Sequence, residues 1–195
     1  MKKPILIIII VLAIITIGYG IYYSSTKQTK EINKPSFNTT QTPNNIISDW
    51  VTYQNPDYNY SIQYPKNWYI HESSRKSVSF TSYNPSVFGQ QDVPLPKNMI
   101  EVSITIYPEA KNMIAEPLGT LDEWLQKVSF KERKDVIVAG ERAVRTKRED
   151  ETFGGFSGDV RIIKNNVAYQ IHYSPYDSAL VNIFDQMLSS FKFTK

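Results

Sequence analysis

The feature that most constrains how this chain folds is an uncharged hydrophobic segment near its N-terminus, residues 5–23, which consists mainly of Ile, Leu and Val. A helix of that length can cross the hydrocarbon core of a bilayer, about 30 Å thick. Lys2 and Lys3 precede the segment, and tyrosines cluster at its far end, where their polar rings suit the headgroup region. We therefore predict a transmembrane signal anchor over residues 1–23, single-pass in the cell membrane, with the N-terminus in the cytoplasm and the rest of the chain outside.

A cleaved signal peptide is the alternative to this anchor. Cleaved signals have a shorter apolar core followed by a site with small residues. Gly18 and Gly20 match such a site only in part, and the chain continues into the bulky Ile21 and Tyr22. A buried helix of a soluble domain would show a polar face, which this segment lacks. We therefore favour an uncleaved anchor.

A polar segment, residues 24–48, follows the hydrophobic one and is rich in Ser, Thr, Asn, Gln, Lys and Pro. Such a composition buries too little apolar surface to fold by itself. As a flexible linker it would have an end-to-end distance of about 25–30 Å. We expect residues 49–195, a single domain, to be held within that distance of the membrane.

The charges separate along the same boundary. Residues 1–45 hold five lysines and one glutamate, whereas the remaining 17 basic and 18 acidic side chains leave the domain with a charge of −1. A domain that binds nucleic acid needs a concentrated positive surface, so we exclude nucleic acid as a partner. The chain contains no cysteine, which excludes disulfides, thiolate nucleophiles, Cys-ligated zinc and iron–sulfur clusters.

The domain shows short β runs separated by turn residues, and two segments with helical periodicity. The predicted strands cover residues 50–54, 58–64, 68–71, 77–82, 100–107, 136–138, 142–147, 160–164, 167–173 and 191–193. The predicted helices cover residues 121–130, which begin with a capping box from Thr120 and Glu123, and residues 177–190. Many antiparallel strands with only two helices predict an α+β fold, in which the helices pack on the sheet.

A long loop, residues 84–97, separates two of these strands and is the first candidate for contact with a partner. Three prolines make regular secondary structure unexpected there, and long loops commonly carry binding function. We expect Tyr83, Asn84 and Phe88 to contact a partner. A loop that merely connects two strands is the simpler alternative.

An acidic run at the end of a charged hairpin is the second candidate. Glu149, Asp150 and Glu151 could contact a partner or hold a hard cation such as Ca²⁺ through their carboxylates. The alternating oxygen ligands of an EF-type loop are absent, and a run of this kind is usually a solvated hairpin end. We therefore predict partner contact here and no metal ligand.

The domain offers no convincing catalytic site. His71 and His172 are its only histidines, and each lies in a predicted strand, so we expect structural or surface roles. Ser157 lies in a glycine-rich stretch, residues 154–158, but Asp159 occupies the position where a nucleophile elbow has its second glycine. We interpret this stretch as a loop between strands, and we expect no catalytic residue and no cofactor.

Three stretches of the domain match motifs of a known superfamily. Residues 60–68, YSIQYPKNW, are similar to the pattern F-S-x-x-Y-P-x-x-W, with Tyr60 in place of phenylalanine. Residues 136–140, VIVAG, are similar to a V-x-V-x-G turn, and residues 187–193 match a closing segment. In these motifs the domain resembles the PsbP-like superfamily, as a membrane-anchored, bacterial-type member. The resemblance implies an antiparallel β-sheet flanked by helices in an α/β/α sandwich, in a non-enzymatic accessory or binding domain.

Photosystem-associated members of that superfamily help to retain ions, and a eukaryotic branch binds a small GTPase, but no residue here matches either role. The leading hypothesis is therefore a non-catalytic, membrane-anchored extracytoplasmic accessory domain that engages a protein or an envelope component. A small-ligand or cation-binding module is the alternative. A hydrolase that uses Ser157 or a histidine ranks last.

Overall fold

The computed structural model describes residues 49–88, 94–150 and 155–195. The predicted anchor, residues 1–23, and the predicted linker, residues 24–48, lie outside these ranges. Among the helices in the described ranges, none combines the length and the hydrophobicity that a bilayer span requires.

The described chain forms two antiparallel sheets and a few short helices. In chain order the elements are β1 (Trp50–Asn55), β2 (Tyr60–Pro65), β3 (Tyr69–Ser74), β4 (Ser77–Thr81), α1 (Pro85–Phe88), β5 (Glu101–Tyr107), a 3₁₀ turn (Pro108–Ala110), α2 (Leu121–Gln126), β6 (Glu132–Val138), β7 (Glu141–Glu149), β8 (Phe156–Lys164), β9 (Val167–Ser174), α3 (Val181–Ser190) and β10 (Lys192–Phe193). The small sheet has the order β1-β2-β10, and the large sheet has the order β3-β4-β5-β9-β8-β7-β6.

One face of the large sheet packs against the small sheet and α3. The alternation predicted for β5 is confirmed, because Val102 and Ile104 are 0% exposed on this face while their neighbours point to the other face. The small sheet contributes Tyr60, whose ring stacks on Phe191 with 5.4 Å between the ring centroids. Phe184 of α3 belongs to the same cluster. Both sheets and α3 therefore share one continuous core.

The opposite face of the large sheet is covered in part by α2, and we refer to it as the α2 face. Trp124 and Leu125 pack there with Val144 of β7 and Ala168 of β9. The capping box predicted at Thr120 is present, with the hydroxyl accepting from the backbone N–H of Glu123. The described domain is thus α+β and antiparallel, as predicted, but it is mostly sheet, and the flanking helices are short.

Both principal helices are shorter than predicted. Helix α2 ends at Gln126 instead of residue 130, because the chain turns at Lys127 and bends at Val128, and Val128 and Phe130 pack against the α2-face cluster from outside the helix. Helix α3 begins at Val181 instead of residue 177. The Ser178 hydroxyl donates to the carbonyls of Lys97 and Met99 at 3.2 and 2.8 Å, and these bonds hold the preceding residues in turns.

The expectation that the loop 84–97 lacks regular structure is wrong at its start, where α1 forms one helical turn. Proline is tolerated at the first helical position, because that residue needs no N–H donor. The Asn84 side chain accepts a hydrogen bond from the N–H of Ser86 at 3.0 Å, as a helix cap does. Pro85 is therefore compatible with this turn.

The interpretation of residues 154–158 as a loop is also wrong for its second half, because β8 begins at Phe156 and not at residue 160. Ser157, Gly158 and Asp159 are thus strand residues. A Cβ atom at Gly158 would overlap the ring of Tyr173 on β9. The glycine that suggested a turn instead permits close packing between two strands.

Candidate functional site

Polar side chains line up across the α2 face of the large sheet. Asp159 of β8 lies opposite His172 of β9 and opposite Thr146 of β7. Because side chains alternate along a strand, Ser157 and Arg161 point to the same face as Asp159. The register of three neighbouring strands therefore assembles a polar site that no single segment contains.

Asp159 lies at the centre of this site and is 0% exposed. Its Oδ1 accepts a hydrogen bond from Nε2 of Gln170 at 2.7 Å and lies 3.0 Å from Nδ1 of His172. Its Oδ2 accepts from Arg161 at 2.9 Å and lies 3.2 Å from Nε of Arg148. Both carboxylate oxygens are therefore occupied by two partners each.

Asp159 is ionised despite its burial. Burial raises the pKa of Asp159, but the hydrogen bond with His172 and the charge of Arg161 lower it by more, so this pKa lies well below the ordinary value of an aspartate. An ionised carboxylate can only accept hydrogen bonds. Nδ1 of His172 therefore carries the hydrogen in the bond between them.

Arg161 is the second buried charge of the site, with 2% exposure. Its guanidinium donates to Asp159 and to Oγ1 of Thr146, each at 2.9 Å, and lies 5.5 Å from the ring of Trp124. Burial lowers the pKa of Arg161, Asp159 opposes that effect, and Arg148 adds to it. Within the described part of the chain, Nε of Arg161 has no hydrogen-bond partner. Trp124 of α2 thus covers the guanidinium of Arg161, whose positive charge is compensated by the carboxylate of Asp159.

The network continues into β5 through Gln170. Oε1 of Gln170 accepts a hydrogen bond from the hydroxyl of Tyr107 at 3.0 Å. The Tyr107 ring meets Trp124 edge to face at 5.7 Å, and burial raises the pKa of its hydroxyl. Asp159 is therefore held by a chain of groups that spans β5, β7, β8 and β9.

A hydrolytic triad is not assembled among the described residues. His172 and Asp159 form the pair that orients a general base in such enzymes. Ser157 lies on the same face, but it is 0% exposed and its hydroxyl has no hydrogen-bond partner among the residues that the structure describes, so it does not bond to His172. His71, the other histidine, is exposed on the edge strand β3.

A cleft opens beside the network, between the end of β7 and the chain that follows α2. It has a volume of about 480 Å³ and is lined by Val128, Ser129, Phe130, Lys131, Arg148, Glu149 and Asp150. Arg148 belongs to both the cleft and the network, because its side chain is 44% exposed and its Nε reaches Asp159. Lys131 forms an ion pair with Glu149 at 3.0 Å. We refer to this feature as the Arg148 cleft.

Two of the predicted partner-contact residues line this cleft, and others lie elsewhere. Glu149 and Asp150 are at its rim, whereas Glu151 lies outside the described residues. Tyr83 follows β4, which is separated from β7 by three strands of the sheet, and its hydroxyl donates to Glu101 at 3.0 Å. Asn84 caps α1. The structure therefore does not bring the two predicted contact regions together.

Phe88 is the last residue of α1, at the same end of the sheet as Tyr83 and Asn84.

In the three described ranges, no group of three or more His, Asp or Glu side chains is arranged to hold a metal ion. Glu149 is instead paired with Lys131.

The charged network around Asp159 was not predicted from the sequence. The pattern that could have indicated it is Ser157, Asp159 and Arg161 at every second position of a segment that also contains Val160 and Ile162. Polar residues alternating with β-branched ones predict a strand with a polar face. The pattern does not indicate whether that face is buried under a helix.

No family model matches the chain, and no curated protein sequence matches it. Solved structures that match this chain include PsbP from Synechocystis sp. PCC 6803, with 14% identity, 74% of this chain and 92% of that chain covered, and a TM-score of 0.46. A protein from Bacteroides thetaiotaomicron VPI-5482 has 14% identity and a TM-score of 0.44 over 74% of this chain, and this chain spans only 48% of its length. A Pseudomonas aeruginosa protein of unknown function has 13% identity and a TM-score of 0.40, with 72% of this chain and 94% of that chain covered.

At this identity and these TM-scores, no activity, ligand or site residue is carried from those proteins to this chain.

Proposed function

We propose that this chain is a non-catalytic accessory protein of PsbP-like type, anchored in the membrane by residues 1–23, whose domain engages a protein or an envelope component outside the cytoplasm. The uncharged hydrophobic segment supports the anchoring, and the basic residues before it support the orientation. The observation that carries the binding role is the Arg148 cleft.

The lining of the Arg148 cleft suits a partner that offers both apolar and charged groups. Val128 and Phe130 provide apolar surface, while Arg148, Lys131 and Glu149 bring charges of both signs to the rim. Sites that bind specifically combine an apolar wall with a few polar groups in this manner. A side chain or a short segment of a partner matches this chemistry better than a single ion does.

The network beneath the cleft favours a binding role over a catalytic one. A general base or nucleophile needs a free lone pair or a titratable proton within reach of a substrate. Asp159 is buried with both oxygens engaged, so its charge compensates two guanidiniums. Arg148 is the member of the network that is open to the cleft, where it can bind an acceptor group of a partner while staying anchored to Asp159.

Photocrosslinking of the full chain in its native membranes tests this proposal. A photoreactive residue at Ser129, which is exposed and lines the cleft, is expected to give a reproducible adduct. The matched control is the same residue at Thr52 on β1, which is exposed and lies outside the cleft. Arg148→Ala should reduce the Ser129 adduct several-fold.

The proposal fails in two separable ways. Repeated absence of a Ser129 adduct, or equal adducts from Ser129 and Thr52, would overturn the binding role of the cleft. Release of the full chain from membranes by alkaline extraction would overturn the anchoring, because an inserted hydrophobic helix resists that treatment.

A small-ligand or cation-binding module is the second candidate, and the cleft volume of about 480 Å³ favours its small-ligand version, since small-molecule sites typically enclose about 300–1,000 Å³. Calorimetry of the full chain in detergent with Ca²⁺ is the direct test of the cation version. Heat that is lost in Glu149→Gln would support a carboxylate site. Absence of heat in the unaltered protein would exclude Ca²⁺.

A further inference from the structure

Two large hydrophobic side chains stand almost fully in solvent at the tip of one loop. Met113 is 85% exposed and Ile114 is 74% exposed, more than any other large hydrophobic residue in the described ranges. Scattered single hydrophobic residues on a surface need no explanation, but an adjacent pair at a loop tip is a different case. We refer to Met113 and Ile114 as the apolar tip.

The backbone holds the apolar tip in place. Oδ1 of Asn112 accepts hydrogen bonds from the N–H groups of Ile114 at 3.1 Å and Glu116 at 2.9 Å. The N–H of Asn112 also donates to the carbonyl of Glu116 at 2.9 Å, and Ala115 has a positive φ of 63°. The loop is therefore a turn closed by its own hydrogen bonds, and both hydrophobic side chains lie in solvent at its end.

The base of this turn is fixed to the core of the α2 face. Ala110 and Leu118, on either side of the loop, are 5% and 4% exposed and are joined by a backbone hydrogen bond of 2.7 Å. Lys127, which follows α2, donates to the carbonyl of Pro117. The base of the loop that carries the apolar tip is thus buried and hydrogen-bonded on both sides.

We propose that the apolar tip inserts into the surface of the lipid bilayer that holds the N-terminal anchor, an inference that rests on the anchoring in the proposed function. Only two side chains are exposed at the end of this closed turn, and they offer far less surface than the roughly 800 Å² per partner of a stable protein interface. A protein partner would need a matching pocket, whereas the acyl boundary of a bilayer deforms around any apolar group. Lipid is therefore the occupant that fits the size and shape of the tip.

The predicted linker makes so small a contact effective. Two side chains bind a membrane weakly from free solution, but a tether raises the effective concentration to the order of millimolar. Strand β5 is about 23 Å long at about 3.3 Å per residue, and the linker, residues 24–48, would reach about 25–30 Å. A linker of that reach would allow the domain to turn either end of the large sheet towards the membrane.

Two of the three charges near the tip form an ion pair. Lys111 and Glu109 lie 2.6 Å apart, whereas the carboxylate of Glu116 accepts a hydrogen bond from the neutral amide of Asn112 at 3.2 Å. Lys111, the basic residue next to the tip, is therefore engaged and does not favour anionic lipid. The contact is accordingly hydrophobic in character. It should persist with neutral lipids and change little with salt concentration.

The apolar tip and the Arg148 cleft lie at opposite ends of the large sheet. The tip follows Tyr107, the last residue of β5, whereas the cleft contains Arg148, which lies opposite Ser157 at the start of β8. Because β8 runs parallel to β5, both being antiparallel to β9 between them, its start marks the other end of the sheet. A bilayer under the tip would leave the cleft facing outward.

The absence of cysteine in the natural sequence permits a direct test with a single label. Ala115→Cys, next to the unaltered tip, carries an environment-sensitive fluorophore, and the full chain is reconstituted in phosphatidylcholine vesicles containing spin-labelled lipid. The expected result is a blue-shifted emission that the lipid quenches. Val87→Cys on α1 is the control, because Val87 is 54% exposed at the other end of the sheet, and its label should not be quenched.

A tip variant and a flotation assay separate the outcomes. Met113→Ser with Ile114→Ser should abolish quenching at position 115, since it removes the apolar groups but keeps the backbone hydrogen bonds of the turn. If the full chain floats with the vesicles but the label at position 115 is not quenched, or is quenched equally in the tip variant, the inference is overturned. If the chain does not float at all, the anchoring in the proposed function fails first.

Discussion

Asp159 shows how one side chain can hold a sheet face together. Two guanidiniums, from Arg148 and Arg161, approach the same oxygen of its carboxylate, while Gln170 and His172 occupy the other. Taking a charge out of water is unfavourable unless partners replace the lost hydration. The network therefore stabilises the fold only while it is complete. Removal of the central carboxylate is expected to destabilise the fold more than removal of any other member.

Asp159→Asn is the residue-scale prediction. The variant keeps the shape of the side chain but leaves the guanidinium of Arg161 buried without its counter-charge. Breaking one partner of a buried ion pair typically costs about 3–5 kcal/mol. The free energy of unfolding at pH 7, measured with urea, should fall by about that amount. The control is Asp185→Asn, because Asp185 pairs with Arg145 at a half-exposed site, where loss of a surface pair costs under about 1 kcal/mol.

The difference between the wild type and Asp159→Asn should also depend on pH. The pKa of Asp159 is lower in the folded chain than in the unfolded chain, where it is about 3.9. Its contribution to stability is therefore fully present above about pH 4. That contribution decreases progressively as the pH falls below about 4 and is lost as the pH falls through the folded pKa. A stability difference that stays constant from pH 7 to pH 2 would contradict the assignment of an ionised, stabilising Asp159.

At the scale of elements, α2 depends on its cap and on the sheet beneath it. A helix of six residues is not stable in isolation, because nucleation costs more than one turn returns. Thr120 and Glu123 satisfy its first backbone N–H groups, and Leu121, Trp124 and Leu125 are buried on the sheet. The helix in turn excludes water from Arg161. The cap therefore affects the charged network, although it makes no contact with it.

Thr120→Ala is the prediction for this element. The variant removes the oxygen that accepts from the N–H of Glu123, and loss of such a cap typically costs about 1 kcal/mol. Urea unfolding should show that loss, and amide exchange should increase in residues 121–126. Thr120→Ser is the matched control, since it keeps the oxygen and should retain nearly full stability. Equal destabilisation by both substitutions would show that the methyl group, and not the cap, matters.

At the scale of the whole domain, one apolar cluster joins the two sheets. Tyr60 and Ile62 of β2 share it with Ile104 of β5, Ile171 of β9 and Phe184 of α3. Strand β2 is central in the small sheet, with β1 on one side and β10 on the other. Because the cluster is continuous, neither sheet can lose its packing without exposing the inner face of the other.

The small sheet and the α2 face of the large sheet should unfold together. Single-tryptophan variants, made with Phe at the other two positions, would report from Trp50 on the small sheet and from Trp124 on the α2 face. Their fluorescence should give the same urea midpoint, as expected of a small cooperative domain. A separate, earlier transition at Trp124 would show instead that α2 and the charged network form an independent unit.

The sequence alone determined the features that depend on neighbouring residues. The alternation in β5 and the capping box at Thr120 were predicted and confirmed, because strand and cap signals lie within a few positions of each other. Tertiary structure alone determined the network around Asp159, since its partners come from β7 and β9 and meet it only in one register. It also determined that Gly158 lies in a strand. The ring of Tyr173, on the neighbouring strand β9, occupies the space that a side chain at position 158 would need. Local patterns record what a segment can form, whereas burial and charge compensation depend on which segments pack together.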